Sequence, residues 1–230
     1  MKTVGIICAM KEELESIEKI LKIEKTDKYF ELDFAKGKIG KNNCILVESG
    51  MGKVNAARST QILIDSYHPD YILNIVVAGG IDASLKIGDI VVATELVQHD
   101  YDATGMGFEK CLIPNAGKFF KTNEYLINLA ADEAKKSTDA NVRKGVVASG
   151  DLFCTDPEIG KRINQELGAL CVEMEGASVA QVCHLCNIPF LVLRGISDVP
   201  NNDNFVDFAD FLKEDLHIMT KTVKNVLEKI

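Results

Sequence analysis

Thr3-Val4-Gly5-Ile6-Ile7-Cys8-Ala9-Met10-Lys11-Glu12-Glu13-Leu14 is a short β-branched apolar run that breaks into charge and then into a helical period. Thr3–Cys8 is apolar without polar alternation, so it reads as a strand covered on both faces. Leu14, Ile17, Ile20 and Leu21 then fall on one side of a helix predicted over Lys11–Lys22. The same rhythm recurs downstream. Lys28–Gly37 and Cys44–Glu48 read as a hairpin pair around Gly40-Lys41-Asn42-Asn43. A helix over Lys53–Tyr67 is stopped by His68-Pro69-Asp70, and strands follow at Tyr71–Ala78 and Ile90–Gln98. Helices are predicted over Asn123–Ser137, Asp156–Glu166 (with Pro157 in its first turn) and Gly176–Cys186; strands fall at Val142–Ser149, Leu170–Val172 and Pro189–Ile196. A long last helix carries Phe208, Phe211, Leu212, Leu216, Met219, Val223 and Leu227 on one face. Doubly covered strands alternating with helices predict an α/β fold with a mixed, largely parallel central sheet flanked by helices. No linker, repeat or charge block divides the chain, so residues 1–230 are expected to form one domain.

Hydrophobic residues make up 47% of the chain and charged residues 26%, which excludes disordered and low-complexity classes. With 26 basic against 34 acidic side chains the net charge is −8, and such a surface repels phosphate backbones. Trp is absent, leaving little for a base-stacking platform, so no nucleic-acid partner is expected. No run reaches the roughly 20 apolar residues of a membrane span, and Val4–Met10 is stopped by Lys11-Glu12-Glu13, unlike a secretory core. The seven Cys are odd in number and mostly sit in apolar runs; they read as reduced thiols, and a cytoplasmic location is expected. Cys183-His184-Leu185-Cys186 is a lone CxxC on a helical stretch, with no second pair to complete a zinc site.

In open α/β sheets ligands collect outside the carboxyl ends of the strands. Those ends hold Glu12-Glu13, Ser49-Gly50-Met51-Gly52-Lys53, Ala78-Gly79-Gly80, Ser149-Gly150-Asp151-Leu152-Phe153, Glu173-Met174-Glu175-Gly176 and Ser197-Asp198. Each has a plain alternative. Glu12 and Glu13 suit a helix dipole, Gly79-Gly80 a tight turn, and Asp198 an N-cap. Gly50-x-Gly52-Lys53 lacks the spacing of a Walker A loop and the third glycine of a dinucleotide fingerprint. Glu173-Met174-Glu175 is harder to dismiss, because a carboxylate at the end of a buried strand needs a partner. Arg194, inside an apolar strand, could be a structural partner of Glu173; Glu175 then remains for a ligand. No His stands near these acids in sequence, and no metal is expected.

Gly5-Ile6-Ile7-Cys8-Ala9-Met10-x-x-Glu13, Ser49-Gly50-Met51-Gly52-Lys53-Val54, Ala78-Gly79-Gly80, Lys86-Ile87-Gly88-Asp89-Ile90-Val91-Val92, Ser149-Gly150-Asp151-x-Phe153, Val172-Glu173-Met174-Glu175-Gly176-Ala177 and Arg194-x-Ile196-Ser197-Asp198, in that order, resemble the bacterial 5′-methylthioadenosine/S-adenosylhomocysteine nucleosidases of the nucleoside phosphorylase/hydrolase superfamily. The resemblance runs from about Lys2 to Leu212. It implies a nucleoside phosphorylase-like three-layer sandwich and hydrolysis of the N9–C1′ bond of adenine thionucleosides by a homodimer without metal or cofactor. It further implies that Glu13 is the base for the attacking water and that Asp198, in a loop placed by Ser197, protonates adenine N7. Glu175 would hold the ribose 2′- and 3′-hydroxyls above Met174, and Arg194 would position water and carboxylate. Phe153 would stack on adenine, the Cys154 backbone would read its Watson–Crick edge, and Ala78, Gly79 and Glu173 would complete the substrate site. Met51 and Phe208 would wall the 5′-alkylthio group, and Met106, Phe108 and Pro114 would close that pocket from the partner subunit.

The chain departs from the family at Val77, where Ser is usual, so a hydroxyl near the ribose is absent; Met106 stands where an aromatic residue is common. Phosphorolysis would need an anion site, and the chain has only Arg58, Arg143, Arg162 and Arg194. Hydrolysis of another adenine nucleoside such as aminodeoxyfutalosine, and a non-catalytic nucleoside sensor, are the remaining alternatives.

Overall fold

Strand and helix alternate as predicted, on one mixed sheet whose centre closes on itself. The computed structural model describes residues 1–199 and 208–230, the side chains of 208–215 excepted. Among the described residues the strands are β1 (Thr3–Cys8), β2 (Lys22–Tyr29), β3 (Leu32–Ile39), β4 (Asn42–Glu48), β5 (Tyr71–Gly80), β6 (Ile90–Gln98), β7 (Phe120–Lys121), β8 (Val142–Ser149), β9 (Ala169–Glu173) and β10 (Phe190–Asp198). The helices are α1 (Lys11–Glu18), α2 (Lys53–Tyr67), α3 (Glu124–Lys135), α4 (Pro157–Leu167), α5 (Gly176–Leu185) and α6 (Phe208–Lys229).

β4, β1, β5 and β10 run parallel as neighbours, and so do β6, β8 and β9. Two antiparallel seams, β10 with β6 and β9 with β5, join these groups, so β5, β10, β6, β8 and β9 form a closed ring. β4, β3 and β2 continue from β1 as an antiparallel flap. Period-two alternation sends side chains to both faces. Val4, Ile6 and Cys8 enter a core with α1, α3 and α6, while Ile7 and Ile72 enter one with α2 and α5. α4 packs on β8 and β9 over a third, smaller core that includes Ile163 and Val97. This is a three-layer arrangement, and no described helix is long and apolar enough to cross a membrane.

Several strands start or end within about two residues of expectation, and two readings change outright: the first helix is shorter, and the single strand expected over Lys28–Gly37 is broken by a turn at Phe30-Glu31. The first helix ends at Glu18 rather than Lys22, and Leu21 drops into the core from a turn instead of continuing the helix. Lys22–Tyr29 is a further strand, exposed along most of its length and lysine-rich, as suits an edge. It turns at Phe30-Glu31 into β3, and the expected turn at Gly40 joins β3 to β4 with Ile39 opposite Asn42.

Candidate active site

The carboxyl ends of β1, β4, β5, β8, β9 and β10 surround a cavity of about 450 Å³. Glu13 stands just behind its wall. It is the third residue of α1 and almost fully buried, while neighbouring Glu12 is exposed. Its Oε2 accepts from the N–H groups of Ala9 (2.8 Å) and Met10 (3.0 Å), and its Oε1 accepts from Val77 N–H (3.1 Å). The bond back to the N-cap residue Met10 is half of a capping box, so Glu13 serves the helix end and also faces β5. Burial pushes its carboxyl up to about 7, against the pull of the three N–H groups and of Arg194.

Glu173, at the end of β9, is committed internally. Its Oε2 accepts from Arg194 Nη2 (2.6 Å), Gly176 N–H (2.7 Å) and Glu175 N–H (3.1 Å), and its Oε1 from Ser149 Oγ. Arg194 is wholly buried on β10; it also donates to Asn74 Oδ1 and to the carbonyls of Asn74 (3.2 Å) and Leu193 (2.8 Å). Its guanidinium therefore lies within the sheet, not on the cavity lining. This ion pair is the partner that a buried carboxylate at this position requires.

Glu175 is the N-cap of α5 and lines the cavity. Among the described residues its carboxylate has one protein donor, Gly52 N–H to Oε1 at 2.6 Å. Gly52 reaches that position with φ 95°, a left-handed backbone that favours glycine. Burial and the nearby Glu173 charge push Glu175 up to about 7. Its remaining lone pairs face the cavity, where hydroxyl donors can meet them.

Asp198 ends β10 beyond a break in register after Ile196, where β10 shifts against β5. Such irregularities re-aim side chains at sheet ends. Ser197 Oγ donates to Asp198 Oδ1 (2.9 Å), while a Cβ at Gly79 would stand 3.1 Å from Oδ2. Burial raises the Asp198 carboxyl above its ordinary range, and the Ser197 bond only partly offsets this. Val77 and Gly79, the β5 residues that meet Glu13 and Asp198, are two positions apart, a spacing of about 7 Å along a strand.

Residues 3–230 match the family model for the phosphorylase superfamily. A 5′-methylthioadenosine/S-adenosylhomocysteine nucleosidase of Bacillus thuringiensis subsp. konkukian is 37% identical over 228 residues, covering 99% of each chain. The chain belongs to the 5′-methylthioadenosine/S-adenosylhomocysteine nucleosidase family. The crystal structure of the Campylobacter jejuni nucleosidase superposes with a TM-score of 0.95 at 32% identity over the whole of both chains. A Helicobacter pylori structure described as a futalosine hydrolase matches with a TM-score of 0.93 at 33% identity, over 100% of this chain and 98% of that one.

The other residues expected from the nucleosidase resemblance divide into three groups. Ala78, Gly79, Met51, Phe153, Cys154, Met174 and Ser197 all line the cavity, as do Glu173, Glu175 and Asp198. Phe153 is 65% exposed at the mouth, its ring free to meet a flat ligand. Met106, Phe108 and Pro114 do not line this chain's cavity. Met106 sits in a 3-10 turn at 78% exposure. The Phe208 side chain lies outside the described residues, although α6 begins there.

Sequence reasoning missed Asn74, Ser149's second bond and several lining residues. Asn74 was detectable as the one amide inside the apolar run Tyr71–Ala78, since a buried amide must find partners. It finds Arg194 and, through Nδ2, the carbonyl of Ile7 (3.0 Å). Ser149 Oγ also accepts from Ala177 N–H (2.7 Å), tying α5 to β8. Leu152, Thr155 and Val199 line the cavity without any motif position of their own to mark them, and Ile87 lines it from the Lys86–Val92 motif, which carried no expected role.

Proposed function

We propose that this chain, acting as one nucleosidase domain over residues 1–230, hydrolyses the N-glycosidic bond of 5′-methylthioadenosine and S-adenosylhomocysteine, releasing adenine and the thioribose product. The observation that carries the reading is three acids, Glu13 and Glu175 buried and Asp198 half-buried, with three different degrees of commitment around one cavity. Glu13 is held by backbone N–H groups, Glu175 keeps free lone pairs, and Asp198 is raised toward its protonated form.

An N-glycosidic bond breaks through a ribosyl cation of oxocarbenium character, so the purine must leave neutral and water must reach C1′. Asp198 supplies the proton to N7; burial raises its carboxyl above the ordinary range, which favours holding a proton between the carboxyl and a basic ring nitrogen. Glu13 accepts the proton of the attacking water; with its carboxyl at about 7 it is half ionised near neutrality. Glu175 holds the two ribose hydroxyls, and Phe153 stacks on adenine. Met51 and its apolar neighbours take the 5′-alkylthio group, where a hydroxyl or phosphate would go unpaired. Arg194 acts through Glu173 as a positioning residue.

Hydrolysis is favoured over phosphorolysis because, among the described residues lining the cavity, none is Lys, Arg or His, so a phosphate would meet no cation. The likeness to the futalosine hydrolase supports one alternative substrate, aminodeoxyfutalosine.

The same reading includes a cytoplasmic homodimer serving methionine salvage, with Met106, Phe108 and Pro114 closing the partner's pocket. The exposed Met106 and Phe108 support it, since apolar side chains displayed on a long connection usually meet a partner. Incubation with methylthioadenosine, with and without phosphate, tests the reading. Adenine and free 5-methylthioribose without phosphate support it; strict phosphate dependence with a 1-phosphate sugar contradicts it. Aminodeoxyfutalosine in parallel ranks the alternative.

A further inference from the structure

Two loops that wall the cavity are fastened to each other outside it. One follows β4 and carries Met51 and Gly52; the other follows β8 and carries Leu152 and Phe153. Between them stands Asp100, two residues past the end of β6. Its Oδ1 accepts from Lys53 Nζ (2.7 Å) and its Oδ2 from Asp151 N–H (2.8 Å). Asp151 Oδ1 in turn accepts from Lys53 N–H (2.9 Å). Lys53 is pinned further by Gln98 Oε1 (3.2 Å from Nζ) and by Ser178 Oγ, which donates to its carbonyl (2.6 Å). None of the three ring members, Lys53, Asp100 and Asp151, lines the cavity. The Lys53 and Asp100 side chains are only 18% and 29% exposed, so water screens this pair less than an open surface pair.

The link to the chemistry is one residue long. Gly52, immediately before Lys53, gives Glu175 its single donor among the described residues. A Cβ at Gly52 would stand 3.3 Å from Asp151 Oδ1, so the two loops are in close contact at this point. Moving Lys53 moves the N–H that orients Glu175, and moving Asp151 moves the segment that presents Phe153.

We infer that Asp100 is a positioning residue that sets the site's grip on a vicinal diol, acting on Glu175 through Lys53 and Gly52, which it holds both directly and by way of Asp151. The ligand's identity in this inference rests on the nucleosidase reading; the clasp itself does not. Burial works against ionisation of Asp100, but the Lys53 and Asp151 hydrogen bonds outweigh it and hold the carboxyl below its ordinary range. Asp100 is therefore an anion at neutral pH, accepting at both oxygens.

Asp100→Asn is the test. An amide offers an acceptor to one donor and turns N–H groups on the other. KM for methylthioadenosine should rise about tenfold or more, in line with loss of a charged hydrogen bond, with kcat within about threefold. KM for the 2′-deoxy analogue, which lacks a hydroxyl for Glu175, should change by less than about threefold. Amide hydrogen exchange at Gly52 and Asp151 should quicken about tenfold or more, while Ala9 and Val77, the Glu13 donors, keep their protection. Equal losses on both nucleosides, or unchanged exchange at Gly52, would overturn the inference. Should Asp100→Asn fail to fold, Lys53→Met removes the ammonium while leaving Asp100 on Asp151 N–H, and the same two readouts decide. If the wild type releases no adenine, the nucleosidase reading fails, and exchange at Gly52 still decides the clasp.

Discussion

The N–H of Val77 donates to Glu13 Oε1 across 3.1 Å, so β5 holds the buried carboxylate by its backbone, whatever side chain stands at 77. The missing serine hydroxyl therefore does not remove this bond. A Ser at 77 would place a second donor on the same residue. Val77→Ser should stabilise the ionised carboxylate and lower the Glu13 pKa from about 7 by about half to one unit. The acid limb of the kcat/KM profile against pH should move down by that amount; an unmoved limb would place the new hydroxyl elsewhere.

Stability should fall as pH rises toward neutrality. Glu13 and Glu175 sit at about 7 in the folded chain, above the ordinary carboxyl value of 4.5. Between those values the folded state holds protons that the unfolded chain has released, so ΔG of unfolding declines with pH across that window. Asp198, also raised, adds in the same sense, while His99, lowered by burial, opposes it just below about 6.5. One such carboxyl costs on the order of 3 kcal/mol once ionised. Melts from about pH 5 to 8 should show a falling Tm, and Glu13→Gln should flatten the slope. An unchanged slope in the variant would mean that Glu13 is not the group titrating.

Arg194→Met should destabilise the fold by about 3–5 kcal/mol, because Glu173 keeps its buried charge without its cation. Adding Glu173→Gln should recover part of that loss, since the pair shares one interaction. Guanidinium denaturation of both single variants and the double variant measures this. Strict additivity would mean that the ion pair does not couple the two residues.

Most of the fold was legible because β5, β9 and β10 are largely apolar on both faces and end in glycines or acids. Lys22–Tyr29 escaped because an edge strand exposed on both faces carries no alternation, and the Ile20-Leu21 pair prolongs the helical period past its end. The closure of the ring depends on pairings between β5 and β9 and between β10 and β6, which local pattern does not encode. At the site, Glu13, Glu175 and Asp198 could be named from the resemblance. The sequence offered Arg194 as the structural partner of Glu173, and that pair forms inside the sheet; what it could not rank was this pairing against a ligand role for Glu173. The Asp100 clasp was invisible because its three members come from segments about 50 residues apart in the chain, with no motif.

The division of labour between Asp198 and Glu13 is tested most directly by turnover of Asp198→Asn and Glu13→Gln on methylthioadenosine and on an activated nitrophenyl riboside, whose leaving group needs no proton. On methylthioadenosine both variants should lose at least about 10²-fold. On the activated riboside Asp198→Asn should regain most of its turnover, while Glu13→Gln, still without a base for water, should remain slow. Equal rescue of the two variants, or rescue of Glu13→Gln alone, would contradict the assignment of acid and base.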